Sequence, residues 1–166
     1  MATQNLLQRL DKAADTTGSS VNASNRRIEE VFIASAALTA GDFVSLDLSQ
    51  STASDIALYV DLLDAADACP IGVVIAAAGA GETVRVCIRG VIEAKVDGSA
   101  VNIAIGDALF VGSAAGKAEN KKFRTDIGDG TGTTTGAIAP VQAMAAVALE
   151  ASSADNAIKV FVVNNF

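Results

Sequence analysis

Hydrophobic and polar positions along this chain alternate in short runs, and the runs come twice in the same order. Leu38-Thr39-Ala40-Gly41-Asp42-Phe43-Val44-Ser45-Leu46 is echoed by Ile103-Ala104-Ile105-Gly106-Asp107-Ala108-Leu109-Phe110-Val111. Each copy is a hydrophobic approach, a Gly-Asp corner and a short apolar strand. A second pair follows. Ile71-Gly72-Val73-Val74-Ile75-Ala76-Ala77 leads through Gly79-Ala80-Gly81-Glu82 into Thr83-Val84-Arg85-Val86-Cys87-Ile88. Ala145-Ala146-Val147-Ala148-Leu149-Glu150-Ala151 leads through Ser152 to Asn156 into Ala157-Ile158-Lys159-Val160-Phe161-Val162. Corner, strand, long loop, strand, turn, strand describes both halves. The pattern is that of a duplicated all-β unit, with none of it devoted to chemistry.

Around this frame the individual elements can be placed. Ile28 to Ala34, rich in β-branched and aromatic residues, predicts a first strand. Asp42 to Leu48 predicts a second, and Ser49 to Ser54 a polar loop. The run Ile56 to Val60 with Leu62 and Leu63 fits either a strand or a short helix ending at Asp67. Pro70 to Ala77 is a continuous apolar run, as expected of a strand buried on both faces, and Gly79-Ala80-Gly81 a hairpin-type turn. Thr83 to Ala94 alternates most clearly: Val84, Val86 and Ile88 face one way, Arg85, Cys87 and Arg89 the other. Gly90 marks a bulge or close packing, and Asp97-Gly98 a turn. Ala108 to Val111, Pro140 to Ala151 and Ile158 to Val163 complete the strands. Gly112 to Asn120 is read as a small-residue loop, and the Gly-Thr tract 126–136 as an exposed one. Many short strands with few helices predict an all-β fold: a small barrel or a β-clip or sandwich-like domain with internal duplication. Closure would hide edges that are otherwise sticky.

The first 27 residues differ in character. Gln4 to Ala14 predicts a short helix with Leu6, Leu7 and Leu10 on one side, marginal on its own in water. Asp15 to Asn25 reads as a Thr/Gly/Ser/Asn connector closed by Arg26-Arg27. The expected organisation is an extended N-terminal arm, 1–27, and a β-rich domain, 28–166. The arm either orders against a partner, through Leu6, Leu7, Leu10, Arg26 and Arg27, or is a frayed terminus.

Composition narrows the function classes. The chain has 166 residues, 51% hydrophobic and only 4% aromatic. A core of Ala, Val, Ile and Leu gains about 25 cal/mol per Å² buried, and Ala contributes little area. Self-association is one way to bury more. The net charge of −7 argues against a nucleic-acid surface, which needs clustered Lys and Arg. There is no His, which removes Ser-His-Asp triads, Cys-His dyads and most transition-metal sites. No cofactor is expected. Cys69 and Cys87 are too few for a disulfide framework; Cys87 reads as a small core residue and a Cys69–Cys87 bridge is not indicated. No signal peptide is visible, and the longest apolar stretch is too short to span a bilayer. No membrane partner is expected.

Motifs that resemble chemical sites have simpler readings. Gly112 to Lys117 has one residue too few between its glycines for a phosphate-binding loop, and Ala118 replaces the Ser or Thr. Gly79-Ala80-Gly81 lacks the third glycine of a dinucleotide fingerprint. Asp126 to Thr131 lacks the acidic alternation of an EF-hand. Asp42 and Asp107 would make paired catalytic carboxylates only if brought together; an Asp after Gly at a strand entry ordinarily bonds local backbone. Arg85 and Arg89, on one strand face, are either a partner contact or a solvated face.

Gly41-Asp42-Phe43-Val44, Pro70-Ile71-Gly72-Val73-Val74, Gly79 to Val86, and Arg89-Gly90-Val91, followed by Ile105 to Phe110 and Val147 to Ala151, resemble the pattern of small tailed-phage capsid cement proteins, the DUF2190-like group. The resemblance covers about residues 28–163. It implies a non-enzymatic decoration protein on the outer surface of an icosahedral head, made in the bacterial host cytoplasm. It implies the major capsid protein as partner, self-association as a homotrimer, and an arm that adds to a capsid-protein strand. The longer arm and the extended 113–136 loop depart from the bare family domain. A carbohydrate- or surface-binding module of a head fibre or adhesion protein is the alternative. The shortage of aromatics speaks against sugar stacking, and the missing His against a hydrolase.

Overall fold

One long strand organises the molecule. In the computed structural model, which describes residues 27–64, 70–99, 101–112, 114–120 and 144–163, the elements are β1 (Ile28–Ala34), β2 (Phe43–Leu46), α1 (Ala53–Ile56), β3 (Tyr59–Leu62), β4 (Pro70–Val74), β5 (Thr83–Asp97), β6 (Ala108–Val111), β7 (Ala118–Glu119), β8 (Ala146–Ala148) and β9 (Asp155–Val162). β5 has 15 residues, about three times the usual strand. It serves two barrels. Its first half pairs antiparallel with β1 and β4; β4 pairs with β2, β2 with β3, and β3 returns to β1 in parallel. Its second half pairs antiparallel with β9 and in parallel with β7; β7–β6, β6–β8 and β8–β9 complete the second circuit. Each circuit is five strands, closed, so neither leaves an edge.

The two circuits share one register. Ala34 lies opposite Val60 as Val96 lies opposite Ala118. Leu46 opposes Val60 as Val111 opposes Ala118, Phe43 opposes Val73 as Ala108 opposes Val147, and Val74 opposes Val86 as Ala148 opposes Val160. Phe32 and Val84 match Ala94 and Ile158. The duplication read from the sequence is therefore a structural one, residue for residue. Strand alternation fills each interior: Phe32, Val44, Val60, Val74 and Val86 in the first barrel, and Ala94, Leu109, Val111, Ala148 and Val160 in the second. The neighbours of the first set, Phe43, Val73 and Cys87, point out of barrel one and join the core of barrel two. That packing holds the barrels together.

Several elements differ from the sequence expectation. The polar loop Ser49–Ser54 gives way to α1, whose cap is Thr52: its Oγ1 accepts from Asp55 N at 3.1 Å. The ambiguous run after it divides, a helical turn first and then β3. The expected loop Gly112–Asn120 contains β7, because that short stretch stands where β3 stands in the first barrel. β2 stops at Leu46 and β4 at Val74, where the chain bends to form the Leu38–Ala78 bridge. β5 runs three residues past Ala94. Of Pro140–Ala151, Ala146–Ala148 is strand and 140–143 lie outside the described residues. So do residues 1–26, the tract 126–136 and Cys69.

Candidate interaction surface

Both Gly-Asp corners are built alike. Gly41 and Gly106 have φ of +87° and +90°, a backbone that L side chains rarely adopt. Each positions the following Asp to fold back on the chain. Thr39 N donates to Asp42 Oδ2 at 2.7 Å, and Ala104 N donates to Asp107 Oδ2 at 2.8 Å. Gly41 N bonds Val74 O as Gly106 N bonds Ala148 O. The carboxylates are caps of local backbone, as the sequence indicated.

The corners then diverge. Asp42 is buried and also accepts from Thr39 Oγ1 (2.8 Å) and Lys95 Nζ (2.7 Å). Lys95 belongs to the second barrel, and its backbone N donates to Gly41 O at 2.9 Å. Nearby, Phe43 N donates to Gly116 O (2.9 Å) and Gly116 N to Leu63 O (2.7 Å). The corner of barrel one is thus inserted into barrel two. Gly116 must be glycine there: its φ is +74°, and a Cβ would lie 2.9 Å from Leu62 Cδ2. Asp107 has no such seam. It accepts from Asn120 Nδ2 at 2.5 Å within its own barrel.

The outer face of β1 and the first half of β5 carries three of the arginines singled out from the sequence. Arg27 Nε donates to Glu29 Oε1 at 2.7 Å, and Arg85 pairs with the other carboxylate oxygen. Burial pulls the Glu29 carboxyl up, but the hydrogen bonds and charges of Arg85 and Arg27 outweigh it and hold the group below its ordinary value. Arg89 lies opposite Ile28, is exposed, and makes no ion pair among the described residues. The structure brings Arg27 and Arg85 together through Glu29, which sequence reasoning missed; only the β1–β5 register reveals it. Leu6, Leu7, Leu10 and Arg26 lie outside the described residues.

Between Arg85 and Arg89 on the same side of β5, and covered by barrel two, Cys87 is a free, fully buried thiol. Burial pushes its pKa up to about 11, so it is not a ready nucleophile. Lys117, at the end of the glycine-rich stretch, pairs with Asp155. Asp47 accepts from Ser35 Oγ, Ser49 Oγ and Gln50 Nε2 at 2.6 Å each, which holds its carboxyl far below the usual range. A shallow depression of about 260 Å³ lies among Asn102, Ile103, Ala151, Ser152 and Ser153. Among the described residues no three His, Cys, Asp or Glu side chains gather as metal ligands. Large apolar side chains are exposed as well, Val31, Leu58, Ile105 and Leu149 among them.

The fold resembles that of a phage head-fibre base. The similar structure is the crystal structure of the N base of head fibre protein gp8.5 of bacteriophage phi29, with a TM-score of 0.51 and 14% identity over 83% of this chain and 95% of that one. At that identity the likeness is one of fold. No family model and no curated protein matches the chain.

Proposed function

We propose that this protein is a non-enzymatic structural component of a phage virion, bound to the outside of an icosahedral capsid, where it cements neighbouring capsomers. The observation that carries the reading is the fold likeness to a head-fibre base, which spans nearly all of that chain. The resemblance of its Gly-Asp corner and strand segments to small capsid cement proteins supports it. So does the described surface, which offers apolar and paired-charge contacts. Its partner is the major capsid protein. Modest contacts suffice for such a role, since a shell presents many equivalent sites and linked attachment multiplies weak affinities. The acidic charge favours solubility before assembly.

A second reading is favoured by the identity of the structural neighbour: a base that attaches a head fibre to the capsid. Both readings predict capsid binding and differ in its consequence. The full chain is sedimented with expanded and unexpanded shells, and the temperature at which the shells disrupt is measured with and without it. Saturable binding that raises the disruption temperature supports the cement. Binding that leaves it unchanged supports the fibre base. No binding to either shell refutes both.

A further inference from the structure

The internal duplication exposes an interface that is used once within the chain and, among the described residues, left open at both ends. Within one molecule, barrel one presents the outward positions Phe43, Val73 and Cys87 to barrel two, and all three are fully buried. The register places Ala108, Val147 and Phe161 at the same three outward positions of barrel two. They are apolar as well, but only half-buried, and the rim beside them carries Ile105 and Leu149, 72% and 38% exposed. An outward barrel position facing water is ordinarily polar. Apolar residues at all three equivalent places mark a face built to be covered.

The receiving side is duplicated too. Barrel two receives barrel one at Lys95 and Gly116. Their counterparts in barrel one are Ile33 and Leu58, since Ile33 N donates to Leu58 O at the point where the seam is made in barrel two. Leu58 is 49% exposed, and Val31, two residues along β1 from Ile33, is 63% exposed. The charge changes on one side of the joint only. In the seam, Asp42 faces Lys95. At the open ends, Asp107 is satisfied by Asn120 and Ala104 of its own barrel, and the position of Lys95 is taken by Ile33. The cation has been replaced by an apolar residue on the receiving side, while the carboxylate on the other side is kept and turned onto its own barrel.

We propose that copies of this chain associate head to tail, the Ala108–Val147–Phe161 face of one copy seating on the Ile33–Leu58 face of the next. The contact is made by side chains, because the direct Ile33–Leu58 bond closes the backbone slot that the seam uses. It is therefore looser than the internal joint and reversible. Being heterologous, it builds a ring if the rotation closes and a filament if it does not. It does not depend on the capsid reading, since it is measured on the free protein.

The test uses the full chain, its Phe161→Lys variant and its Leu58→Lys variant, with mass followed by sedimentation and native mass spectrometry over a concentration series. The wild type is expected above the mass of one chain, and each variant at the mass of one chain. An equimolar mixture of the two variants is expected to stop at two chains, because each retains one working face and the faces are complementary. A wild type that stays a single chain overturns the proposal. So do variants that keep the wild-type mass, or a mixture that stays at one chain. If Phe161→Lys loses its far-ultraviolet circular dichroism signal, the double variant Ile105→Lys/Leu149→Lys, placed on the exposed rim, replaces it with the same expected outcomes.

Discussion

The duplication supplies its own control for the Gly-Asp corners, because Asp42 and Asp107 cap the same turn but only Asp42 reaches into the other barrel. Removing Asp107 with Asp107→Ala loses two hydrogen bonds, from Ala104 N and Asn120 Nδ2. At about 1 kcal/mol each, that is a loss of about 2 kcal/mol. Asp42→Ala loses the equivalent backbone bond, the bond from Thr39 Oγ1, and the Lys95 ion pair. The Asp42 side chain is 9% exposed and Lys95 36%. The pair is thus partly solvated and contributes about 1 kcal/mol rather than the 3–5 of a fully buried one. The expected loss for Asp42→Ala is then about 3 kcal/mol. Urea unfolding followed by circular dichroism gives both values. A double-mutant cycle with Lys95→Met isolates the ion pair, with an expected coupling of about 1 kcal/mol that shrinks in high salt. Equal losses for the two Asp variants, or a coupling indistinguishable from zero, would refute the claim that the corner of barrel one is an inter-barrel joint.

Other outcomes follow from the seam and the core beneath it. Phe43→Ala removes a fully buried ring between the barrels and should cost about 3–5 kcal/mol in the same urea titration; a loss under about 1 kcal/mol would mean the barrels do not pack through it. Cys87 should resist iodoacetamide in the folded protein and react on denaturation. Because burial raises the thiol pKa from 9.0 to about 11, the folded state holds the proton more tightly, so the associated stability is present below pH 9 and is lost as pH rises towards 11. Cys87→Ala should flatten that alkaline limb; an unchanged slope would place its origin elsewhere.

The repeat was legible in the sequence because it rests on local signals: a glycine that needs positive φ, an Asp that caps it, and strands whose alternation survives in both copies. What escaped was whatever depends on pairing between distant segments. β7 has two residues and sits among glycines, so its only evidence is that the register of barrel two needs a third strand between β5 and β6. α1 hid in a polar stretch because one helical turn has no hydrophobic period to detect; its Thr52 cap was the available sign. Glu29 looked like an ordinary strand residue until β1 lay beside β5. The division into two barrels was concealed in the longest run of alternation. Thr83 to Ala94 read as one strong strand, when its very length signalled that two sheets were sharing it.

Where the two copies agree and where they part says which surfaces matter. Inward positions stay apolar in every pair: Phe32 and Ala94, Val44 and Leu109, Val60 and Ala118, Val74 and Ala148, Val86 and Val160. Packing alone constrains these, and volume can move between neighbours so long as the interior is filled. Outward positions change character instead. Ile33 stands where Lys95 stands, Val31 where Glu93 does, and Leu58 where Gly116 does. On the joining face the bulk has moved from one strand to another: Phe43 and Cys87 in barrel one correspond to Ala108 and Phe161 in barrel two. An aromatic is thus kept on that face in both copies, but carried by the β2 position in one and the β9 position in the other. A surface free of contacts has no reason to retain a large apolar group while relocating it. The exchange fits a second barrel that keeps the skeleton of the first and has had its joining face recut for a different seat.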